Sequence, residues 1–277
     1  MSKGKKKTAP VSVIIPCYCC HETIERACLS VLNQTLIPSQ IILVEDASDD
    51  AGKTSERINS LSRTIEDTWG IECTKIFLEY NEGPGEARNQ GWEVAKNDFI
   101  VFLDADDTWH QSKIEIQFSW MRANPKIDLT CHQSVIFDSY YQDILINPES
   151  VELKFRTMLY RNKILTRTVM LKKALPNRFL KGQRFSEDYR LWLDMLADNK
   201  RAVLLNVELA SSYRPEYSSG GQSAKLWEME YSELKIYYDF YCDKKITLPW
   251  LISCSLFSLI KFFVRTLKSC IPRIFNS

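Results

Sequence analysis

No glycine-rich phosphate loop follows the first strand-like segment of this chain. The turn after Val11-Ser-Val-Ile-Ile-Pro16 reads Cys-Tyr-Cys-Cys-His-Glu, with neither the dinucleotide G-x-G-x-x-G nor a P-loop, which counts against a dehydrogenase or an ATPase. There is no charge excess either: 36 basic and 35 acidic residues leave a net +1, giving no global case for a nucleic-acid partner. No apolar run of secretory-signal length follows Lys3, Lys5, Lys6 and Lys7, so a cytoplasmic location is expected. No second Cys-x-x-Cys or histidine pair completes a tetrahedral zinc set with Cys17, Cys19, Cys20 and His21, and of the nine cysteines the clustered Cys17, Cys19, Cys20 and Cys28 are expected to be buried thiols in a reducing compartment. Nor is there a membrane-spanning run: the longest uncharged stretch, Ile246 to Ile260, has 15 residues where about 20 are needed.

What is present is ordinary globular composition, 45% hydrophobic and 26% charged, over enough chain for a large core. Val11 to Pro16 is a β-branched run, after which Ile24, Ala27, Cys28, Val31 and Leu32 recur at helical spacing. The unit repeats: strand 40–45, helix 54–65, strand 74–78, helix 85–95, strand 99–103. Continuous apolar strands alternating with helices predict an α/β fold with a mostly parallel sheet covered on both faces. Ligands in such sheets bind at the carboxyl ends of the strands, which here are Pro16 to Tyr18, Glu45 to Ser48, Asn81 to Gly85 and Asp104 to Asp107.

The last of these carries the most chemistry. Phe99-Ile-Val-Phe-Leu-Asp-Ala-Asp-Asp107 runs a buried strand directly into three carboxylates, which repel one another unless a cation or donor meets them. Magnesium or manganese takes one or two protein carboxylates and completes its shell with water and phosphate oxygens, so Asp104 and Asp106 are metal-diphosphate candidates. The plainer reading is a turn that starts the next helix. Tyr18 can stack on a base and Asp46 can accept from a base edge, or both can simply belong to the rim and a solvated turn. Arg88, one turn into the helix after Gly83-Pro-Gly85, can neutralise phosphate or pair with an aspartate. Glu187 and Asp188 fall in the first turn of a helix expected to begin at Ser186, where the dipole favours their charged forms. That placement suits a general base and equally suits plain helix stability.

Taken together, Val11-Ser-Val-Ile-Ile-Pro-Cys-Tyr18, Ser30-Val-Leu-Asn-Gln-Thr35, Ile42-Leu-Val-Glu-Asp-Ala-Ser-Asp49, Ala87-Arg-Asn-Gln-Gly91, Phe102-Leu-Asp-Ala-Asp-Asp107 and Glu187-Asp188 resemble, in order, the inverting family-2 glycosyltransferases of bacterial surface-glycan synthesis. The resemblance covers about residues 9 to 215 and implies the GT-A fold. It implies that Pro16, Tyr18 and Asp46 hold the nucleotide base and that Arg88 supports the base or diphosphate. Asp104, Ala105 and Asp106 would contact the donor, with Asp106 as direct ligand and Asp104 as second contact of Mn2+ or Mg2+, and Asp188 would be the catalytic base. The chain departs from the family pattern at Cys19, where asparagine is usual, and at Glu45, where aspartate is usual. The implied reaction moves a sugar from a nucleotide-sugar, UDP by family habit, to a glycan or lipid-linked saccharide, with inversion. A sugar nucleotidyltransferase and a nucleotide-sugar binding scaffold without turnover are the competing readings. The first lacks its glycine- and basic-rich triphosphate loop, and the intact acidic set speaks against the second.

The expected organisation is a basic tail (1–8), a GT-A domain (9–224, with a nucleotide part 9–110 and an acceptor part 111–224), and a helical extension (225–277). Tyr213 to Ala224 is rich in hydroxyls and glycine, and reads either as a closing loop or as a plain connection. Near the C-terminus Lys261, Arg265 and Lys268 share one helical face, while Leu259, Phe262, Phe263 and Leu267 lie elsewhere around the axis. This predicts a helix lying in the inner membrane surface, with its basic residues and the N-terminal lysines toward anionic lipid and Trp250 as an interfacial anchor. The alternative is packing on the catalytic domain or on a second subunit, which leaves a homo-oligomer open.

Overall fold

The computed structural model describes residues 7–136, 148–213 and 225–274. The N-terminal lysines up to Lys6 and residues 214–224 of the expected loop lie outside the described residues. The chain runs β1 (Thr8–Cys17), α1 (Ile24–Leu32), β2 (Ile37–Glu45), α2 (Lys53–Thr64), β3 (Glu72–Phe77), α3 (Pro84–Val94), β4 (Phe99–Phe102), β5 (Thr108–Trp109), α4 (Lys113–Ala123), β6 (Leu129–Ile136) and β7 (Ser150–Leu153). It continues through α5 (Phe155–Met158), a 3-10 turn at Thr166–Thr168, β8 (Met170–Lys172), α6 (Glu187–Ala197), β9 (Ala202–Ser212), α7 (Leu226–Cys242) and α8 (Leu248–Ile274).

The strands form one nine-stranded sheet in the order β3-β2-β1-β4-β8-β6-β9-β5, with β7 also paired to β9. The first four strands are parallel to one another, as the βα alternation predicts. The second half is mixed: β8 runs antiparallel to β4 and β6, and β9 runs parallel to β6 but antiparallel to β5 and β7. An α/β GT-A architecture results, with α7 and α8 added at the C-terminal end.

Period-two alternation on β1 explains the two-sided core. Val11, Val13 and Ile15 pack with Ile24, Ala27 and Val31 of α1, with Ile41 and Leu43 of β2 and with Ile58 of α2. Ile14 faces the other way, with Ile42, Val44, Phe102, Trp92 and Trp192. Burial on both faces is what a parallel sheet requires, and it is why these strands read as continuous apolar runs. The Trp92 indole N–H donates to the Lys173 carbonyl at 2.9 Å, tying α3 to the segment after β8.

Helix α3 approaches the sheet closely because residue 91 is glycine. A Cβ there would lie 2.5 Å from Ile14 Cγ2 and 3.3 Å from Val44 Cγ2, both in the packed core. Gly91→Ala must therefore push α3 off β1. The expected cost of such overpacking is about 1–3 kcal/mol, or a fall in melting temperature of about 2–4 °C per kcal/mol, read by thermal denaturation. An unchanged melting temperature would show that α3 is not clamped at Gly91.

Candidate active site

The carboxyl ends of β1, β2 and β4 open into a cleft of about 1750 Å³ lined by Pro16, Tyr18, Asp46, Arg88, Asp104, Ala105, Asp106 and Asp188, among others. All the candidate residues read from the sequence therefore meet in one place. Tyr18 stands at the rim, 51% exposed. The turn that presents it is held by the Cys19 N–H donating to Ser48 Oγ at 3.0 Å and the Cys20 N–H donating to Thr54 Oγ1 at 3.0 Å. Cys19 has φ 47°, in the left-handed region that asparagine tolerates well. Glu45 is buried and accepts the Ser48 N–H at 2.7 Å. Both departures from the family pattern thus sit where they shape turns.

Asp46 is buried and bound to its own loop. Its carboxylate accepts the N–H groups of Glu82 (2.8 Å) and Gly83 (2.9 Å) and the Asn81 amide (3.2 Å). Burial raises its pKa, and the two backbone donors oppose that shift. Gly83 needs its glycine, with φ 93°. Arg184 closes the far side of this turn by donating to Asn81 Oδ1 at 2.8 Å.

Arg88 is the centre of the site. Its side chain is 6% exposed and forks between two elements: Nη2 donates to Asp104 Oδ1 at 2.7 Å, and Nη1 to Glu187 Oε1 at 3.1 Å. Burial alone would lower its pKa, but Asp104 and Glu187 outweigh that and raise it, so the guanidinium stays charged. Both readings of Arg88 left open by the sequence are compatible with this position, since the ion pair itself shapes the cleft.

The acidic groups around it are crowded. Burial and the neighbouring Asp188 push Glu187 up to about 7 against the pull of Arg88. Burial also raises Asp188, opposed by Arg88, by Thr166 Oγ1 donating to Oδ2 at 3.0 Å, and by the Tyr189 N–H donating to Oδ1 at 2.6 Å. Asp107 is buried beside Arg167 Nη1 at 3.3 Å and is pushed up to about 7 by desolvation and by Asp104. The Asp106 main-chain carbonyl accepts from Arg26 Nη2 at 2.8 Å, which fixes the Asp-Ala-Asp turn. Asp104 uses Oδ1 for Arg88 and is 28% exposed in the cleft, and Asp106 lies two residues on in the same lining. Two partly exposed carboxylates of hard oxygen fit Mg2+ or Mn2+ with a diphosphate completing the shell. Among the described residues no group of three or more acidic, His or Cys side chains makes an all-protein metal cage.

Helix α6 begins where the sequence places it, and Ser186 precedes it with φ 51°, an uncommon conformation for a non-glycine residue. Sequence reading missed the segment behind Asp188: Thr166 and Arg167 lie in a 3-10 turn with no periodicity to betray it. It also misplaced the basic face of α8. Lys261 Nζ pairs with Glu233 at 2.8 Å and Arg265 Nη2 with Glu230 at 3.3 Å, so these cations face α7 and the cleft and not anionic lipid. Trp250, expected as an interfacial anchor, packs against Tyr160 with ring centroids 5.8 Å apart. The available signal was the Glu230/Glu233 pair on α7, which matches Lys261/Arg265 in charge.

Removing the Arg88 fork leaves Asp104 and Glu187 without their cation. Arg88→Ala is expected to cost about 3–5 kcal/mol of stability, and Arg88→Lys to recover only part of it, because one ammonium does not reproduce a planar fork. Denaturant unfolding of both variants checks this, and equal stability of Ala and Lys variants would contradict the forked geometry.

The chain is similar to known proteins in sequence and in fold. Residues 12–180 match the family described as "Glycosyl transferase family 2". The Escherichia coli "UDP-Glc:alpha-D-GlcNAc-diphosphoundecaprenol beta-1,3-glucosyltransferase WfgD" is 29% identical over 84% of this chain and 85% of its own. The putative teichuronic acid biosynthesis glycosyltransferase TuaG of Bacillus subtilis (strain 168) is 30% identical over 74% of this chain and 78% of its own. In fold, the chain superposes on S. aureus TarS 1-349 in complex with UDP-GlcNAc with TM-score 0.65 at 17% identity, covering 83% of this chain and 66% of that one. The Pyrobaculum calidifontis mannosyltransferase PcManGT, in complex with GDP-Man and Mn2+, gives TM-score 0.65 at 16% identity over 95% of this chain and 75% of its own. With six ordered motifs, a GT-A sheet and this family match over residues 12–180, the chain belongs to glycosyl transferase family 2, of the bacterial surface-glycan type.

Proposed function

We propose that this glycosyltransferase inverts configuration, takes its sugar from a UDP-sugar, depends on a divalent metal and extends a lipid-linked saccharide at the cytoplasmic face of the membrane. The observation that carries the reading is the Asp188 carboxylate, which lines the same cleft as Asp104 and Asp106 and is oriented by Thr166. WfgD and WfaP of Escherichia coli, by their names, transfer glucose from UDP-Glc to GlcNAc-diphosphoundecaprenol, and the TarS fragment was solved with UDP-GlcNAc.

In this reading Pro16 and Tyr18 frame the base, and Asp46 sets the loop that closes beside it. Asp106, with Asp104, would hold Mn2+ or Mg2+, which supplies Lewis-acid stabilisation of the departing diphosphate. Asp188 accepts the proton of the acceptor hydroxyl as its oxygen attacks the anomeric carbon from the face opposite the nucleotide. The anomeric C–O bond breaks, its electron pair leaves with the nucleoside diphosphate, and an α-linked donor yields a β-linked product. A raised Asp188 pKa makes a stronger base, since the proton it takes is held more firmly.

Helix α8, 27 residues and about 40 Å long, supports the membrane location. Residues Leu248–Leu267 reach a mean hydropathy of 1.5 and are mostly unburied. Leu256, Ile260, Phe263, Val264 and Leu267 are exposed, with Trp227, Tyr231 and Tyr238 exposed on α7. The Lys261 and Arg265 pairs hold the other side of α8 against α7, so the helix lies along the protein with its apolar side outward. This is the arrangement of an interfacial helix, in which apolar area in place of cationic residues supplies the binding.

Asp188→Asn is expected to lower kcat by about 10³-fold or more while nucleotide affinity is kept, by analogy with loss of other catalytic bases. In the wild type kcat/KM should fall as pH drops through an Asp188 pKa above the ordinary aspartate value of 3.8. Unchanged turnover would remove Asp188 as base. Thermal stabilisation by UDP with Mn2+ should be lost in Asp106→Ala and with chelator, and no stabilisation by any nucleotide in the wild type would overturn the transferase reading. Phe263→Asp with Leu267→Asp should cut binding to phosphatidylglycerol vesicles by about tenfold or more, measured by cosedimentation. Undiminished sedimentation would place the membrane contact elsewhere.

A further inference from the structure

The cleft changes chemistry along its length. At the strand ends its lining is acidic, with Asp46, Asp104, Asp106, Asp107 and Asp188; at the other end it reaches Ile260, Lys261, Val264 and Arg265 of α8. One segment joins the two ends. Thr166 donates to Asp188, and Arg167 pairs with Asp107. Six residues before Thr166, Tyr160 packs on α8: its ring meets Phe257 at 5.4 Å, its hydroxyl is 2.8 Å from Ser253 Oγ, and its carbonyl accepts from Lys261 Nζ at 3.2 Å. The wall between the base and α8 is therefore Arg161 to Leu165. From Arg161 to Thr166 is five residues, at most about 17 Å of chain, a span that a hexose and a diphosphate can occupy.

Two lining cations on this side have no carboxylate partner among the described residues. Arg88, Arg167, Lys261 and Arg265 are each paired with an acid, and Arg184 is taken up by Asn81. Arg161 is exposed on the wall, and Lys225, at the start of α7, lies with its Nζ 5.8 Å from the Phe185 ring, three residues before Asp188. Ile260 and Val264 of α8 line the same cleft, on the helix that carries the exposed Leu256, Phe263 and Leu267. Along the wall the order is thus Asp188 at Thr166, then Arg161, then α8, while Lys225 lines the same cleft.

We propose that Arg161 and Lys225 form an anion subsite for the phosphate or diphosphate that joins the acceptor sugar to a polyprenyl-type lipid, whose first hydrocarbon units lie on Ile260 and Val264. This assignment rests on the transferase reading and adds the residues that recognise its acceptor. A sugar hydroxyl at Asp188, a phosphate at Arg161 and Lys225 and a chain on α8 follow the order of groups in such a lipid. The two cations come from different elements, Arg161 from the wall after Tyr160 and Lys225 from the start of α7, and both line the cleft.

The test uses the full chain with geranylgeranyl diphosphate as probe, in the presence of Mn2+ and saturating UDP so that the donor pocket is filled. Geranylgeraniol and inorganic diphosphate serve as controls. The wild type should bind the probe at least about tenfold more tightly than either control, Arg161→Ala/Lys225→Ala should lose about tenfold or more, and Arg161→Lys should keep most of the affinity. UDP affinity, measured separately, should be unchanged by the double substitution. Equal probe binding by the double variant, displacement of the probe by UDP, or no preference over inorganic diphosphate each overturns the subsite. A wild type that takes up no nucleotide counts against the transferase reading, whereas normal UDP binding without the Arg161- and Lys225-dependent preference counts against this subsite alone.

Discussion

One buried guanidinium sets the geometry of the site. Arg88 is nearly sealed from solvent, and its two ends hold Asp104 at the tip of β4 and Glu187 at the start of α6. A buried charge left unpaired is costly, so each partner constrains the others: α6 cannot drift from β4 without exposing one of the three. Arg88 in turn is aimed by α3, whose distance from the sheet is set by Gly91 against Ile14 and whose end is tied through Trp92 to the Lys173 carbonyl. Packing on one face of a helix thereby fixes an ion pair on another.

The same count of charges is the physical ground for the divalent cation proposed at the site. Asp104, Asp106, Asp107, Glu187 and Asp188 crowd the neighbourhood, against Arg88 and Arg167. Burial, with the surplus of acid adding to it, pushes Glu187 and Asp107 up to about 7 and raises Asp188. A carboxyl raised on folding binds a proton more tightly in the folded chain than in the unfolded one, so ionising it as pH rises works against stability. A divalent ion beside Asp104 and Asp106 would relieve part of that repulsion, which places metal and nucleotide binding on the same electrostatic footing as folding.

Much of this was legible in the sequence because the N-terminal half obeys local rules. Val11 to Pro16, Ser12 apart, and Phe99 to Leu103 are apolar because their strands are buried on both faces, and Ile24, Ala27, Cys28, Val31 and Leu32 show the single buried face of α1. The second half obeys them less. Strands β6 to β9 pair across distant segments, Leu129 with Ala202 and Val101 with Met170, and no local pattern encodes such partners. Thr166 and Arg167 matter through what they touch, in a turn without periodicity. Lys261 and Arg265 misled for a related reason: cations at i and i+4 look the same whether they meet lipid headgroups or a neighbouring helix. The presence of Glu230 and Glu233 on α7 decides between the two.

That reassignment alters how α8 relates to the chemistry. Because its charged side is turned inward onto α7, the helix stands as one wall of the catalytic cleft while its other side is apolar and exposed. Tyr160 packs tilted against Trp250 and edge-on against Phe257, and six and seven residues later the same segment meets Asp188 and Asp107, so α8 is linked to the acidic centre through a short stretch of chain. Glu233, whose pKa is lowered by Lys261 and by the Tyr237 hydroxyl despite its burial, locks the join between the two helices. A depressed carboxylate contributes stability above its unfolded pKa and loses it as pH falls, so this join is firm at neutral pH. The exposed apolar side of α8 and the Asp107 and Asp188 carboxylates are thus tied to one another by the same short segment, and in the proposed function an acceptor delivered along α8 would arrive beside Asp188.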